Sequence, residues 1–525
     1  MNIILKKIII LIKRNFLLII LSFTSIVTLV PLIKYGMQAA FYHVDPDVVY
    51  LGNAISYIKS NTIFYSGHPG TPAIIILAWS FWPLRIIAKL FDHKPFVLWA
   101  FDNLRLLFIY GRLIFFSIFT VSMFLFFKSV RELSKSYYPV IFTCVGMFLF
   151  VPFFELGPKI YAENSTFFIV SLWLLFFAYY SKKQNILFLY ILSILSGLGM
   201  AVKLNNYVLV IATFLFTFIN NKKYFVEKLK HLSLIVCLTF GTFFISTWSI
   251  RSSYKPMFTR FFNVALRSGI EGAHGSGGSP FVDFANYFLN LKGLFISNTI
   301  PFYIVLVTIV GMLYLIIVKR IRLTSNYSVL FFSVFASSLI LLKYPLAYYQ
   351  LPSYLIYLFL AGFLLNKLKI PAQLIIIILL LSPMIKVVNN NLDYALKLAN
   401  SSVLLERRLA ENKIGTITLW DYGPAKDFAY IWIRSWAGGT FREELSLKAP
   451  NLLELDADYK RVYRKYYSDK NDIWEICWDK LYIRENRAQV FLSKYSDKNL
   501  KVLPIIGTNI WEIQSNHCVK NFSSF

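Results

Sequence analysis

The sequence predicts an α-helical polytopic membrane protein of about eleven transmembrane helices, followed by a small α/β domain outside the membrane. Three observations predict it. The 525 residues are 57% hydrophobic and only 15% charged, whereas soluble domains are about a quarter charged. Long apolar runs recur from the N-terminus to about residue 387 and then stop. Acidic residues are scarce over that same part: residues 1–387 hold 34 Lys and Arg against 10 Asp and Glu, and residues 388–525 hold 20 against 17. The formal net charge of +27 therefore sits in the apolar part of the chain. There it marks membrane orientation and not a nucleic-acid partner. The expected division is 1–387, membrane domain, and 388–525, extracytoplasmic α/β domain.

Lys6, Lys7, Lys13 and Arg14 precede the first apolar run, at about 15–34. No small-residue cleavage site follows, so this run is an uncleaved first span and not a signal peptide. Ten further spans are expected near 104–127, 138–156, 164–180, 186–202, 205–220, 231–250, 299–318, 327–342, 352–366 and 370–387, each short of or near the roughly 20 residues needed to cross about 30 Å. The stretch 186–220 as one helix would be about 50 Å long, so it is a hairpin, with Lys203, Asn205 and Asn206 at its tip. With the N-terminus in the cytoplasm, the inner loops collect 18 of the 34 basic residues and only Glu132 and Glu227 among the acids, which obeys the positive-inside rule. An odd span count then places the C-terminal domain outside, in the inner (plasma) membrane of a bacterium. The abundance of Lys, Asn, Ile and Phe points to the bacterial source only by composition.

Two outer loops are long. The loop 35–103 carries helical segments at 46–60 and 71–91, expected to lie in the interface because flanking charges and Pro72 and Pro83 interrupt them. The loop 251–298 contains Glu271-Gly-Ala-His-Gly-Ser-Gly-Gly-Ser-Pro280, a glycine density that fits a plain connector and a lid equally. In the tail an amphipathic helix is expected at about 391–412, with strands at 414–420, 430–434, 481–484, 488–492 and 510–514. Cys144 and Cys237 lie in apolar runs and read as small core residues. Cys477 and Cys518 lie in the tail and pair only if it is extracytoplasmic and their Cα atoms approach within bonding range.

The chemistry-bearing residues lie on the outer side. In His43-Val-Asp-Pro-Asp-Val-Val-Tyr50, Asp45 suits a helix cap with Pro46 behind it. Asp47 is less well explained by capping, and a carboxylate there can act as a general base on a hydroxyl. Glu163 precedes a span, Lys203 is at the hairpin tip, Arg251 ends a span, and Lys343 opens Lys343-Tyr-Pro-Leu-Ala-Tyr-Tyr-Gln-Leu-Pro352. Each alone reads as an interface anchor; together they place cations where they suit a lipid phosphate. Arg112, inside the second span, needs a partner or a route to the surface.

In this order the motifs resemble those of the GT-C superfamily of integral-membrane glycosyltransferases, in its protein mannosyltransferase and aminoarabinose transferase branch. Asp47-Val-Val-Tyr50 and His68-Pro69-Gly70 match the first-loop motifs, with Gly70 where that branch has a second proline and Val48 where it often has Glu. Glu163, the glycine-rich Gly197-Leu-Gly-Met-Ala-Val-Lys203, and Lys343, Tyr349 and Leu351-Pro352 match the later ones. The likeness spans roughly 15–365. It implies an inverting transfer of a sugar from a polyprenyl-phosphate donor to a glycan, lipid or protein outside the cytoplasm. Asp47 would be the base, with Asp45 its rival. Lys203, Arg251 and Lys343 would hold the donor phosphate, and Glu163, His68, Tyr50 and Tyr349 would bind substrate. No cofactor is required by this reading; a divalent cation at Glu163 and His68 is the one candidate. The alternative from another class is a transporter or flippase of a lipid-linked sugar, which needs no outer carboxylate and would show two symmetric halves.

Overall fold

A computed structural model describes residues 2–35, 44–63, 70–134, 136–157, 159–220, 225–268, 279–280, 291–293, 299–341 and 347–410. In the tail it describes 418–419, 441, 444, 453–455, 462–464, 475–476, 480–484, 501–504, 510–514 and 519–520. The described residues of the eleven expected spans fall largely on helices, with 138–156 divided between the helices Tyr138–Leu149 and Pro152–Leu156. Among the described residues, seven helices are long and apolar enough to cross a membrane, and five shorter apolar ones accompany them. The protein is a polytopic α-helical membrane protein with an α/β C-terminal region.

The chain forms two compact units. The first comprises 1–30, 65–73 and 113–392; the second comprises 31–64, 74–112 and 393–525. The helix Ile370–Ala410, with Pro383 inside it, runs unbroken through residue 387 and through the boundary at 392/393.

In the first unit the innermost helices are α9 (Ala162–Lys183) and the helix Leu351–Leu365, whose side chains are buried almost throughout. The helices Phe225–Ser246, Thr299–Ile317 and Ile370–Ala410 leave most of their apolar residues uncovered. In a bilayer this is the expected arrangement, since lipid tails cover apolar side chains as well as protein does, and helices associate through packing and hydrogen bonds. α7 (Tyr138–Leu149) is buried on nearly every side, and Pro139, Pro152 and Pro352 open their helices, where the missing N–H costs nothing. Tyr354 donates its hydroxyl to the Gly146 carbonyl at 2.7 Å and stacks on Phe150. A Cβ at Gly146 would come within 2.5 Å of Leu358 Cδ1. The predicted hairpin is real: α10 (Ile186–Val202) and α11 (Tyr207–Asn220) are joined by a 3-10 turn over Leu204–Asn206. The Asn185 side chain caps α10 by accepting from the Leu187 N–H. α10 packs against α12 (Phe225–Ser246) so closely that a Cβ on Gly197 would lie 2.1 Å from the Thr239 carbonyl oxygen. Cys144 is buried as expected, but Cys237 is exposed on α12 and not in the core.

In the second unit α2 (Val44–Ser60) is buried on all sides from Asp47 to Ser56. The stretch 71–90 is apolar enough to count among the candidate spans, but it breaks at Phe81 into α3 (Thr71–Ser80) and α4 (Trp82–Leu90). α4 buries Leu84 and Ala88 and exposes Trp82, Ile86, Ile87 and Leu90 beside Arg85 and Lys89, a mixture suited to the water–lipid boundary. α5 (Phe96–Asp102) follows, and its Phe101 meets Phe441 of the tail edge to face, while Lys59 pairs with Glu444 at 2.7 Å.

The tail is α/β as expected, with strands at 418–419, 480–484 and 510–514. The sequence missed the short strands Leu453–Leu455, Val462–Arg464, Glu475–Ile476, Lys501–Pro504 and Val519–Lys520; the candidates 430–434 and 488–492 lie outside the described residues. One three-stranded sheet is mixed and the other is antiparallel. Glu475–Ile476 and Val519–Lys520 pair antiparallel, with Val519 opposite Ile476. Cys477 and Cys518, the next residue on each side, lie outside the described residues.

Candidate active site

Two buried ion pairs stand where the sequence placed its candidate residues, one in each unit. In the second unit, Asp47 sits in the first turn of α2 and Arg112 in α6 (Leu104–Ser134). The Asp47 Oδ2 accepts from Arg112 Nη2 at 2.6 Å and from Nε at 2.8 Å. Both side chains are out of contact with solvent, at 0% and 1% exposure. Arg112 also lies 5.6 Å from the Phe108 ring. The partner that an intramembrane arginine requires is thus the candidate base itself. An isolated charge in such surroundings costs several kcal/mol, and removing one member of a buried pair costs about 3–5 kcal/mol. Tyr50, one turn along α2, is buried beside Val48, Val49 and Leu51. Asp45 is in the same first turn, and its side chain lies outside the described ones.

In the first unit, Glu163 opens α9 and Lys203 ends α10 in an extended conformation (φ −157°, ψ 132°). Lys203 donates to the Glu163 carboxylate, and both are buried. The Lys203 ammonium also sits 4.9 and 4.8 Å from the Tyr348 and Tyr349 rings, a cation–π arrangement that helps offset its desolvation. Asn205 holds this cluster together by donating to the Tyr349 carbonyl at 2.9 Å, and Asn206 donates to the Gly199 carbonyl and to Thr166 Oγ1. Lys203, expected at the membrane surface, is therefore enclosed by protein. A lysine that the sequence reading passed over, Lys159, is also buried and lies 5.1 Å from the Tyr161 ring. Its only signal was a cation next to Pro158 just ahead of Glu163.

Arg251 differs from these. It lies in a 3-10 turn, Trp248–Ser253, is exposed, and stacks on Trp248 at 5.1 Å. His68 and Lys343 lie outside the described residues, as does the glycine-rich stretch 271–278. Among the described residues no three His, Cys, Asp or Glu side chains gather as a metal site would require.

Gly70 explains one departure from the family pattern. Its φ is +54°, in the left-handed region, and its N–H donates to the Val202 carbonyl at 3.0 Å. Proline holds φ near −65° and has no N–H, so it fits neither condition. This contact ties the end of the His68-Pro69-Gly70 motif to the C-terminal end of α10, where Lys203 begins. Gly70→Ala should lower stability by about 1–2 kcal/mol, the cost of left-handed backbone for an L-residue, and Gly70→Pro by more. Thermal unfolding in detergent should rank wild type above alanine and alanine above proline.

No family model matches the chain, and no curated protein matches it. Solved structures do. The crystal structure of ArnT from Cupriavidus metallidurans in the apo state aligns over 95% of this chain and 98% of its own, with a TM-score of 0.51 at 11% identity. The same protein bound to undecaprenyl phosphate aligns over the same shares, with a TM-score of 0.48 at 12% identity. At such identity the likeness is one of fold: this chain has the fold seen in the apo ArnT structure.

Proposed function

We propose that this protein is an inverting glycosyltransferase of the bacterial inner membrane that moves a sugar from a polyprenyl-phosphate donor to a hydroxyl outside the cytoplasm. The observation that carries the reading is the buried Asp47–Arg112 pair at the start of α2, in a chain with a GT-C fold. An aspartate that only capped a helix would sit near water. This one is held by a guanidinium through two hydrogen bonds to one oxygen, which fixes its position, as a proton acceptor for a reacting hydroxyl requires.

In the proposed step the Asp47 carboxylate takes the proton of the acceptor hydroxyl. The acceptor oxygen bonds to the anomeric carbon from the face opposite the phosphate, and the bond from that carbon to the phosphate oxygen breaks. Polyprenyl phosphate leaves with the electron pair as a stable anion, so no general acid is needed. Arg112 is a positioning residue for Asp47. Because Asp47 is enclosed in the present conformation, turnover includes an opening that admits the acceptor. Of the two described residues among the proposed phosphate ligands, Arg251 is exposed and has no carboxylate in ion-pair range among the described residues, so it is the one open to the donor. Lys203 is already balanced by Glu163; a phosphate there joins or displaces that carboxylate. Lys343, His68, Tyr50 and Tyr349 complete the proposed site on the strength of the motifs alone. The acceptor is a hydroxyl of a glycan, lipid or protein. The N-terminus faces the cytoplasm and the α/β region lies outside, by the charge of the loops.

Purified protein supplied with polyprenyl-phosphate sugars and candidate acceptors provides the test. Asp47→Asn should lower kcat by about 10²–10⁴-fold, the usual worth of a general base, while the protein still binds donor. Full transfer by this variant removes Asp47 as the base. Arg251→Ala should raise KM for the donor with little change in kcat; an unchanged KM takes Arg251 out of the donor site.

A further inference from the structure

At the end of the first unit opposite to the 3-10 turn that precedes Leu351, the helices Thr299–Ile317 and Leu351–Leu365 end side by side, and the helix Ile370–Ala410 begins. These three helices, with Phe142 of α7, line a groove of about 510 Å³. Its walls are apolar over nearly their whole length, and its lining includes Arg320 and Lys367 and no carboxylate. Arg320 stands three residues past the end of one helix and Lys367 two residues past the end of the next. Both cations are therefore at one mouth of the groove, at the level where the third helix starts. Lys319, Arg322 and Lys369 flank them in the chain.

The groove opens sideways, toward the bilayer. Val307, Tyr314 and Leu379 line it and are 67%, 58% and 69% exposed. Its floor is close-packed: a Cβ on Gly311 would lie 2.9 Å from Leu364 Cδ1. From Ile300 to Leu315 it runs about 22 Å at 1.5 Å per residue, longer than the roughly 15 Å that one leaflet contributes to a 30 Å hydrocarbon core. A sugar would find little to bond there, since the Thr308 hydroxyl is already donated to the Ile304 carbonyl. An acyl chain fits the length and the apolar walls, and a phosphate fits the two cations at the mouth.

We infer that this groove holds one anionic glycerophospholipid, with its phosphate between Arg320 and Lys367 and an acyl chain along the Thr299–Ile317 helix. Cations that merely reached for the surface would attract anionic lipid without a groove; here the cationic mouth and the apolar channel are continuous. On the topology proposed above the mouth faces the cytoplasmic leaflet, whose anionic lipids favour basic pockets between spans. The site is separate from the proposed transfer chemistry and does not depend on it.

Native mass spectrometry of the full-length protein in mixed micelles of phosphatidylglycerol and phosphatidylcholine tests this. Wild type should retain one phosphatidylglycerol in preference to phosphatidylcholine. The double variant Arg320→Gln/Lys367→Gln should lose that preference by about tenfold or more, as expected when charge-assisted contacts to a phosphate are removed. Val307→Trp keeps both cations but fills the channel, and should also lose the lipid. Lys319→Gln/Arg322→Gln removes as much charge outside the groove and should keep it. Thermal unfolding of each variant in detergent shows that it is folded. Equal retention by the Arg320/Lys367 variant or by Val307→Trp, or loss in the Lys319/Arg322 variant, overturns the inference, as does the absence of any preference for the anionic lipid.

Discussion

A charge enclosed in an apolar helical protein must meet its opposite, and much of the local structure follows from that constraint. Neither water nor lipid can solvate Asp47, Arg112, Glu163 or Lys203 where they stand. The desolvation cost of each ion is several kcal/mol, and only a close counter-ion and further hydrogen bonds offset it. The Asp47–Arg112 pair therefore holds α2 against α6. The Glu163–Lys203 pair fixes where α9 begins and where α10 ends. On the proposed mechanism, each pair is also where a substrate with a proton to lose or a phosphate to bind would find a pre-set charge.

Small residues make those pairings reachable. Gly197 lets α10 approach the backbone of α12, and Gly199 sits against Asn206 and Leu209. The hairpin tip can then fold back so that Asn206 bonds the Gly199 carbonyl and Asn205 bonds that of Tyr349. Gly70 contributes both a left-handed turn and a backbone donor to Val202. In the membrane, where apolar burial does not draw helices together, contacts of this kind decide which helices touch. The same logic separates the inner helices, lined with buried aromatics such as Trp173, Phe177 and Phe216, from the outer ones that leave their apolar faces to lipid.

Sequence pattern read the helices well and their partners poorly. All eleven apolar runs fall largely on helices, six of them long and apolar enough to cross a membrane, because such a run is a local property and the bilayer bounds its length. The hairpin at 186–220 was found from its length and from the polar Lys203, Asn205 and Asn206 near its middle. The broken helix at Phe81 was not, since a stretch of 20 apolar residues reads the same whether or not it kinks. In the tail, strands of two or three residues carry too little alternation to be seen. For the site, Arg112 was recognised as a charge in need of a partner, yet its partner lies 65 residues away. Glu163 and Lys203 are 40 apart. Both were singled out, and nothing local indicated that they meet each other. Lys203 read as a surface cation because its neighbours in the chain are polar; the tyrosines that enclose it come from residues 348 and 349.

The sequence by itself determined the membrane class, the position of nearly every helix and which polar residues stand out from an apolar chain. These are consequences of composition and periodicity, which act along the backbone. Only the tertiary structure decided that the candidate base is bonded to the intramembrane arginine, that the candidate phosphate ligand is bonded to a glutamate, and that Gly70 is a position no proline can occupy. Those outcomes rest on distances between segments far apart in the chain, set by which helices pack closely enough for one buried charge to satisfy another.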